Sequence, residues 1–399
     1  MYVTKNNYLS LVQLIILGLM FFAGMNFLQK SFYFIYAAFF ITVLYNYRKF
    51  IVDLSAAILI LFSFSYLFFY PEARMNFMQI LRQFAYFMCY LIGMNFMDNR
   101  NLMQEERKKR EVALAIPIVF VGMGPFLHYV LNMTINIGST SRNTVDIWTK
   151  EAMSATGQAM MAVIAMGIFT SLIFTAGSQK MRIVAIVGLA LIMAYNMVLA
   201  GRTLLIVLFV TIVVAFLYTR KNKKGINWKN VFLIVAIVCL IVLVYTNDIF
   251  GTRTSILNSN LLIRFNKLGE GYFMDATRIG VKFEYLKMAP QYLFGGGKIR
   301  ESIKYYAHDI YLDTYNEAGI IGWGFLALFV VCSAVQLARG LKRNVWSIKF
   351  KTMLLCVFIC INIVFFVEPI LSGMPWMLCI FCFYQGIINR ENFVMKGKT

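Results

Sequence analysis

Long apolar stretches separated by short polar ones run through the whole chain. We count twelve such stretches, at approximately residues 8–28, 31–46, 51–70, 77–97, 112–131, 152–176, 182–200, 203–219, 230–247, 311–338, 352–368 and 373–388. Roughly 20 mainly apolar residues are enough for a helix to cross a bilayer. The pattern therefore predicts an all-α integral membrane protein with about 12 transmembrane helices, a number good to about one hairpin.

Composition supports the same class. Apolar residues make up 60% of the chain and charged residues 14%, and the mean hydropathy is +0.70. A soluble domain with a polar surface does not reach these values. The seven cysteines lie in apolar stretches without metal-binding spacing, so they indicate neither a zinc site nor a disulfide framework. We expect a single polytopic membrane domain over residues 1–399, with the first stretch retained as a spanning helix.

The net charge of +20 raises the alternative of a nucleic-acid-binding protein. Of the 38 Lys and Arg residues, 23 fall in alternate loops when both termini are placed in the cytoplasm. That asymmetry is the usual signature of membrane topology. We therefore expect a multi-pass protein with both termini cytoplasmic, and a lipid bilayer rather than nucleic acid as its partner.

One external segment departs from this charge pattern. Residues 248–307, within a predicted large extracytoplasmic loop at 248–310 between spans nine and ten, hold nine basic and five acidic residues. Topology does not require basic residues on that side. The excess indicates an anionic ligand, whereas for the individual lysines a solvated helical hairpin is the simpler interpretation.

Two arginines lie within or beside apolar stretches. Arg202, in MVLAGRTLLIVLFV, is the only charge between two spans, and snorkelling to the interface is an open explanation for it. Arg82, in MQILRQFAYFMCY, lies about two turns inside its helix. It could line a cavity or pair with a carboxylate.

Residues 275–324 hold the most distinctive stretch of sequence. Arg278 opens an amphipathic helical pattern, and the glycines at 295–297 interrupt it. Those glycines permit positive φ angles and close backbone approach, and we expect them to form a hinge that returns the loop to the membrane. His308 follows, just before the tenth apolar stretch.

Together these stretches resemble the O-antigen ligase and O-antigen polymerase superfamily of bacterial envelope glycosyltransferases. The matching elements are Gly201-Arg202-Thr203, Arg278 ahead of Phe294 to Gly297, and His308-Asp309 through Leu312, Glu317 and Gly319 to Gly322. They cover about an eighth of the chain. Family members often have Asn after the histidine, where this chain has Asp309.

The resemblance implies a GT-C-like enzyme on the outer face of the bacterial cytoplasmic membrane. Its donor would be a polyprenyl-diphosphate-linked oligosaccharide, and a flippase and a chain-length regulator are candidate partners. We expect polymerisation of repeat units into O-antigen, capsule or exopolysaccharide. The alternatives are a ligase with a different acceptor and a flippase or transporter for lipid-linked sugars.

The residue types suit this chemistry. Arg202 and Arg278, with Arg264 as a weaker third, could bind the departing diphosphate bidentately. His308 could remove the proton of the acceptor hydroxyl, and a helix N-terminus would keep its ring neutral. Inversion at the anomeric carbon would follow from a single displacement.

The remaining candidates are acidic. Asp309, Glu317 and Glu368 could contact sugar hydroxyls, and Asp309 could instead orient the His308 ring or raise its basicity. Asp309, Asp313 and Glu317 also recur at the spacing of one helix face, which keeps a carboxylate-based or metal-assisted mechanism open. No second cluster of oxygen ligands accompanies them, so we expect neither a metal nor a cofactor.

Overall fold

A computed structural model describes residues 9–97, 107–137, 144–199, 201–222, 278–342 and 346–396. The first part contains α1 (Leu11–Gly24), a 3₁₀ turn at Phe27–Gln29, α2 (Ser31–Tyr45), α3 (Leu54–Phe69), α4 (Pro71–Met75), α5 (Phe77–Asn95) and α6 (Arg107–Ile135). The strands β1 (Thr144–Val145) and β2 (Ala152–Met153) precede α7 (Ala155–Met160), α8 (Val163–Thr175), α9 (Gln179–Leu199) and α10 (Arg202–Asn222). The last part contains α11 (Arg278–Met288), a 3₁₀ turn at Ala289–Gln291, α12 (Lys298–Ile303), α13 (Ile310–Lys342), α14 (Ile348–Val367), α15 (Ile370–Gly373) and α16 (Pro375–Lys396).

Six helical segments in the described part of the chain are long and apolar enough to cross a membrane. They are Lys109–Ile135, Ala155–Thr175, Gln179–Leu199, Thr203–Lys221, Ile310–Lys342 and Ile348–Val367. The helices α1, α2 and α3 are apolar but shorter. The predicted class, an all-α protein embedded in a membrane, is confirmed at this level. The figure of about 12 spans stays a prediction, and its ninth stretch, at 230–247, lies outside the described residues.

Helix α10 illustrates the lipid-facing pattern. Four of its large apolar side chains are exposed and recur on one face: Ile206, Phe209, Val213 and Leu217. Exposed apolar residues at helical spacing are costly in water and favourable against lipid chains. This face is therefore the surface expected of a membrane-embedded helix.

By its internal contacts the chain forms two compact units. The first comprises Met1–His128, Arg278–Ser347 and Phe365–Thr399, and the second comprises Tyr129–Thr277 and Ile348–Val364. Of the predicted loop at 248–310, the residues before 278 lie outside the described part.

Glycines allow α5 and α16 of the first unit to pack closely. A Cβ atom on Gly93 of α5 would lie 2.1 Å from the Phe383 carbonyl oxygen, and one on Gly386 of α16 would lie 2.1 Å from that of Tyr90. No side chain fits in that space, so the two backbones can approach only where both helices carry glycine.

A short hairpin opens the second unit. β1 and β2 pair antiparallel, with Thr144 opposite Met153. Asn132 and Asn136 of α6 fasten this hairpin, because their side-chain oxygens accept hydrogen bonds from the N–H groups of Ile147 and Val145, both at 2.9 Å. The polar side chains thus satisfy backbone groups that the two-residue strands leave unpaired.

Helix α13 is broken near its start. Gly319 has φ 66° and ψ −168°, a combination that helices do not contain. The glycine loop fills the break: the N–H groups of Gly296 and Gly297 donate to the carbonyls of Glu317 and Asn316, at 3.0 and 2.8 Å. The predicted positive φ angles and close backbone approach of the glycines are confirmed, because residues 295–297 have φ between 75° and 80°.

Candidate functional site

The described part of the predicted loop, residues 278–309, folds around a small apolar cluster of its own. Tyr285, Ile299 and Ala307 are fully buried there. The hydroxyl of Tyr285 donates to the Tyr305 carbonyl at 2.7 Å. The predicted amphipathic helix beginning at Arg278 is confirmed as α11. Residues 278–309 are therefore a packed scaffold on which side chains can hold fixed positions.

Arg278 is held at the end of α14. Its Nη1 donates to the Val367 carbonyl at 2.7 Å and to Glu368 Oε1 at 2.9 Å. The Glu368 side chain is 1% exposed, whereas that of Arg278 is 41% exposed. The guanidinium is thus anchored at the end of α14 and remains partly exposed.

Lys282 lies one turn after Arg278 and on the same face of α11. Its Nζ donates to Asp309 Oδ2 at 2.8 Å and also to the Phe366 carbonyl. Both cations therefore reach the end of α14, and Lys282 also reaches Asp309 at the start of α13. Sequence reasoning treated Lys282 as one more solvated charge, and its spacing of four residues from Arg278 was the available signal.

Asp309 serves as the N-cap of α13. Its Oδ1 accepts hydrogen bonds from the N–H groups of Tyr311 and Leu312, at 3.0 and 3.3 Å. Its other oxygen is engaged by Lys282. Both carboxylate oxygens of Asp309 thus bond to groups other than the His308 imidazole. Asp309 therefore caps the helix and pairs with Lys282.

His308 immediately precedes this cap, which confirms its predicted place at the start of the apolar helix. Its backbone is left-handed, with φ 53°. Within the described part of the chain, its buried Nδ1 has no hydrogen-bond partner. Hence none of the described side chains fixes the orientation of the ring through Nδ1.

The electrostatic surroundings hold His308 neutral. Burial lowers its pKa to about 4, and the positive charges of Arg278 and Lys282 act in the same direction. A neutral imidazole can accept a proton, but a pKa this far below its ordinary value makes it a weak base. An anion bound to Arg278 and Lys282 would offset their charges and raise that pKa again.

Glu317 belongs to a different cluster within the same unit. It is 4% exposed and accepts hydrogen bonds from the hydroxyl of Tyr66 and, at 3.0 Å, from Arg300 Nη1. The other arm of Arg300, Nη2, donates to the Tyr70 hydroxyl at 2.6 Å. Glu317 is therefore a structural ion-pair partner at the helix break. Sequence reasoning missed Arg300, because nothing local links it to a tyrosine 230 residues away.

Arg82 bonds to backbone. Its Nη1 donates to the Leu371 carbonyl at 3.1 Å, and its guanidinium lies 5.8 Å from the centre of the Phe32 ring. The sequence suggested that Arg82 lines an internal space or pairs with a carboxylate. The two contacts described here are with a backbone carbonyl and an aromatic ring. They satisfy part of its hydrogen-bonding capacity with a carbonyl.

Four of the candidate site residues thus come together: Arg278, His308, Asp309 and Glu368. Arg202 lies in the other unit, at the first residue of α10, and Arg264 lies outside the described residues. No group of three or more His, Cys, Asp or Glu side chains in the described ranges has an arrangement that could hold a metal ion.

Comparison with known proteins adds no relative. No protein-family model matches the chain, and no curated protein matches it significantly.

Proposed function

We propose that this chain is a membrane glycosyltransferase that polymerises polyprenyl-diphosphate-linked oligosaccharide units. The observation that carries the proposal is the cluster of Arg278, Lys282 and neutral His308 at the end of a long apolar helix. Two cations beside a proton acceptor are what an anionic leaving group and a hydroxyl nucleophile require. The sequence resemblance points to the same reaction.

In the proposed step, a hydroxyl oxygen of the acceptor sugar forms a bond to the anomeric carbon of the donor. The bond from that carbon to the diphosphate oxygen breaks, and the diphosphate departs with the electron pair. His308 takes the hydroxyl proton. Arg278 and Lys282 stabilise the charge that develops on the leaving oxygen, and a single displacement gives inversion.

The donor itself would switch on the base. In the free protein the two cations depress the pKa of His308. A diphosphate at Arg278 and Lys282 adds negative charge beside the ring and raises this pKa toward a value better suited to proton abstraction. Basicity then rises only when the donor is bound, which limits unproductive protonation of the empty site.

The proposed place of action is the outer face of a bacterial cytoplasmic membrane, with both termini in the cytoplasm. The distribution of Lys and Arg over alternate loops supports this orientation. Substrate supply from inside would then require a flippase, and product length would require a separate regulator. Arg202 and Arg264 remain candidates for further diphosphate contacts.

Reconstitution in liposomes tests the proposal. Purified protein is given one lipid-linked repeat unit and no other acceptor. We expect a ladder of products, each longer than the last by one unit. Transfer only when a different lipid or protein acceptor is added would assign the ligase reaction instead. Movement of the lipid-linked unit across the bilayer without any new glycosidic bond would contradict transferase activity.

A further inference from the structure

Asp313 accepts hydrogen bonds from the N–H groups of the two residues that flank His308. Its Oδ1 accepts a hydrogen bond from the Ala307 N–H at 3.2 Å, and its Oδ2 accepts one from the Asp309 N–H at 3.4 Å. The side chain is buried, with 6% of the residue exposed. One carboxylate therefore bridges the backbone before and after the histidine.

This bridge coincides with an unusual backbone conformation. His308 lies in the left-handed region, which residues with a Cβ atom enter at a cost. Such a turn directs the N–H groups on its two sides toward a common acceptor. In this chain that acceptor is the Asp313 side chain, so the bridge stabilises the strained residue.

The same side chain also takes part in the start of α13, because it accepts the N–H of the N-cap residue, Asp309. Asp309 already accepts the hydrogen bonds of Tyr311 and Leu312, and the N–H of Asp313 makes an ordinary first helical bond to the Asp309 carbonyl at 2.9 Å. The two hydrogen bonds of the Asp313 side chain are to Ala307, before His308, and to Asp309, the N-cap after it. Asp313 therefore holds the backbone around the histidine as well as the helix start.

We propose that Asp313 is a positioning residue for His308. It fixes the backbone before and after the histidine, whereas no described side chain bonds to Nδ1 of the ring. The inference rests on the proposed function insofar as His308 is the base. Ring placement by a neighbouring carboxylate usually runs through an imidazole nitrogen. Here the side chain lies five residues further along the chain, and it accepts hydrogen bonds from the N–H groups of the two flanking residues.

Asp313→Asn provides the test, with Thr314→Val as the matched control. Asparagine replaces one of the two acceptor oxygens by an NH2 group, which donates, so one of the two N–H groups loses its acceptor. The hydroxyl of Thr314 donates to the Ile310 carbonyl at 2.6 Å and touches neither flanking peptide. Both positions are buried and adjacent in α13, and both substitutions nearly preserve side-chain shape.

Two readouts separate positioning from a general loss of structure. The chain has two histidines, so NMR of ¹³C-labelled histidine gives two ring signals, and the one absent in His308→Gln belongs to His308. We expect Asp313→Asn to move that signal and to lower kcat by about tenfold or more with KM nearly unchanged, because small displacements of a catalytic group are costly. Thr314→Val should change neither.

The proposal is overturned if Asp313→Asn leaves the His308 signal in place and kcat at the wild-type value, or if Thr314→Val moves the signal equally. If the wild-type protein transfers no sugar at all, the proposed function fails but the NMR arm still decides. A shift of the His308 signal confined to Asp313→Asn then supports the positioning role, and its absence contradicts it.

Discussion

His308 is a residue whose ionisation is set by its neighbours. The ring is neutral because burial, Arg278 and Lys282 all disfavour the imidazolium. Asp309, the residue that sequence alone placed nearest to it, is occupied by the helix N-terminus and by Lys282. The charge that governs the histidine thus comes from α11, one helix away in sequence.

Lys282→Met should shift the pH dependence of transfer. His308 must be neutral to accept a proton, so activity is lost as the pH falls below its pKa. Removing the positive charge of Lys282 raises that pKa toward the ordinary value of about 6.5, and the unpaired Asp309 acts in the same direction. The acid limb of kcat/KM should therefore move to higher pH.

Lys287→Met is the control for this measurement. Lys287 lies on the same helix, is exposed, and is not among the charges that lower the pKa of His308. Its substitution should leave the acid limb where the wild-type protein has it. If both lysine variants give the same pH profile as the wild type, Lys282 does not control the base.

At the scale of elements, the broken helix α13 and the glycine loop form one interlocked unit. Gly319 occupies a conformation that is essentially restricted to glycine. A Cβ atom on it would lie 2.5 Å from the Leu293 carbonyl oxygen, and the N–H of Ile320 donates to that same carbonyl at 2.8 Å. Backbone hydrogen bonds before and after Gly319 thus hold the glycine loop against the helix break, where the sequence predicted a hinge.

Gly319→Ala should destabilise the protein. The strained backbone conformation alone costs about 1–3 kcal/mol, and the steric clash of the new Cβ atom adds to that cost. Gly324→Ala, five residues later in the same helix, is the control, because a Cβ atom there meets nothing within 4 Å. Thermal unfolding in detergent measures both. Equal unfolding temperatures for the two variants would show that the break at Gly319 is not a constraint.

Arg300→Met should also destabilise the first unit. It leaves the carboxylate of Glu317, whose side chain is 6% exposed, without its cation. Removing one partner of a buried pair costs about 3–5 kcal/mol, and the lower end applies because Arg300 keeps 21% of its side chain exposed.

Lys298→Met tests whether burial is the reason. Lys298 pairs with Glu301 at 2.9 Å in the same short helix, but both side chains are more than half exposed. Solvent-exposed pairs contribute little to stability. The unfolding temperature should therefore fall for Arg300→Met and stay unchanged for Lys298→Met, and equal effects would contradict the buried-pair explanation.

For the whole molecule, hydropathy was sufficient to predict an all-α membrane-embedded class, because a run of apolar residues must either face lipid or be buried. The motif around His308 was sufficient to predict that Arg278 and His308 belong to the same site. Lys282 and Arg300 were missed, and Asp313 was noted only as one of three carboxylates on a helix face, because their roles come from pairing across turns and helices. A Lys in an amphipathic pattern looks the same in sequence whether it is solvated or, like Lys282, bound to a helix cap.

The central claim is that sugar transfer takes place beside His308, with Arg278 holding the donor diphosphate. The most direct measurement is product formation in liposomes by wild-type protein, His308→Gln and Arg278→Ala, each at equal amounts of folded protein, with Lys287→Met as the unaffected control. We predict glycan ladders from the wild type and from Lys287→Met and no transfer by the other two. Wild-type yields from His308→Gln would contradict the account.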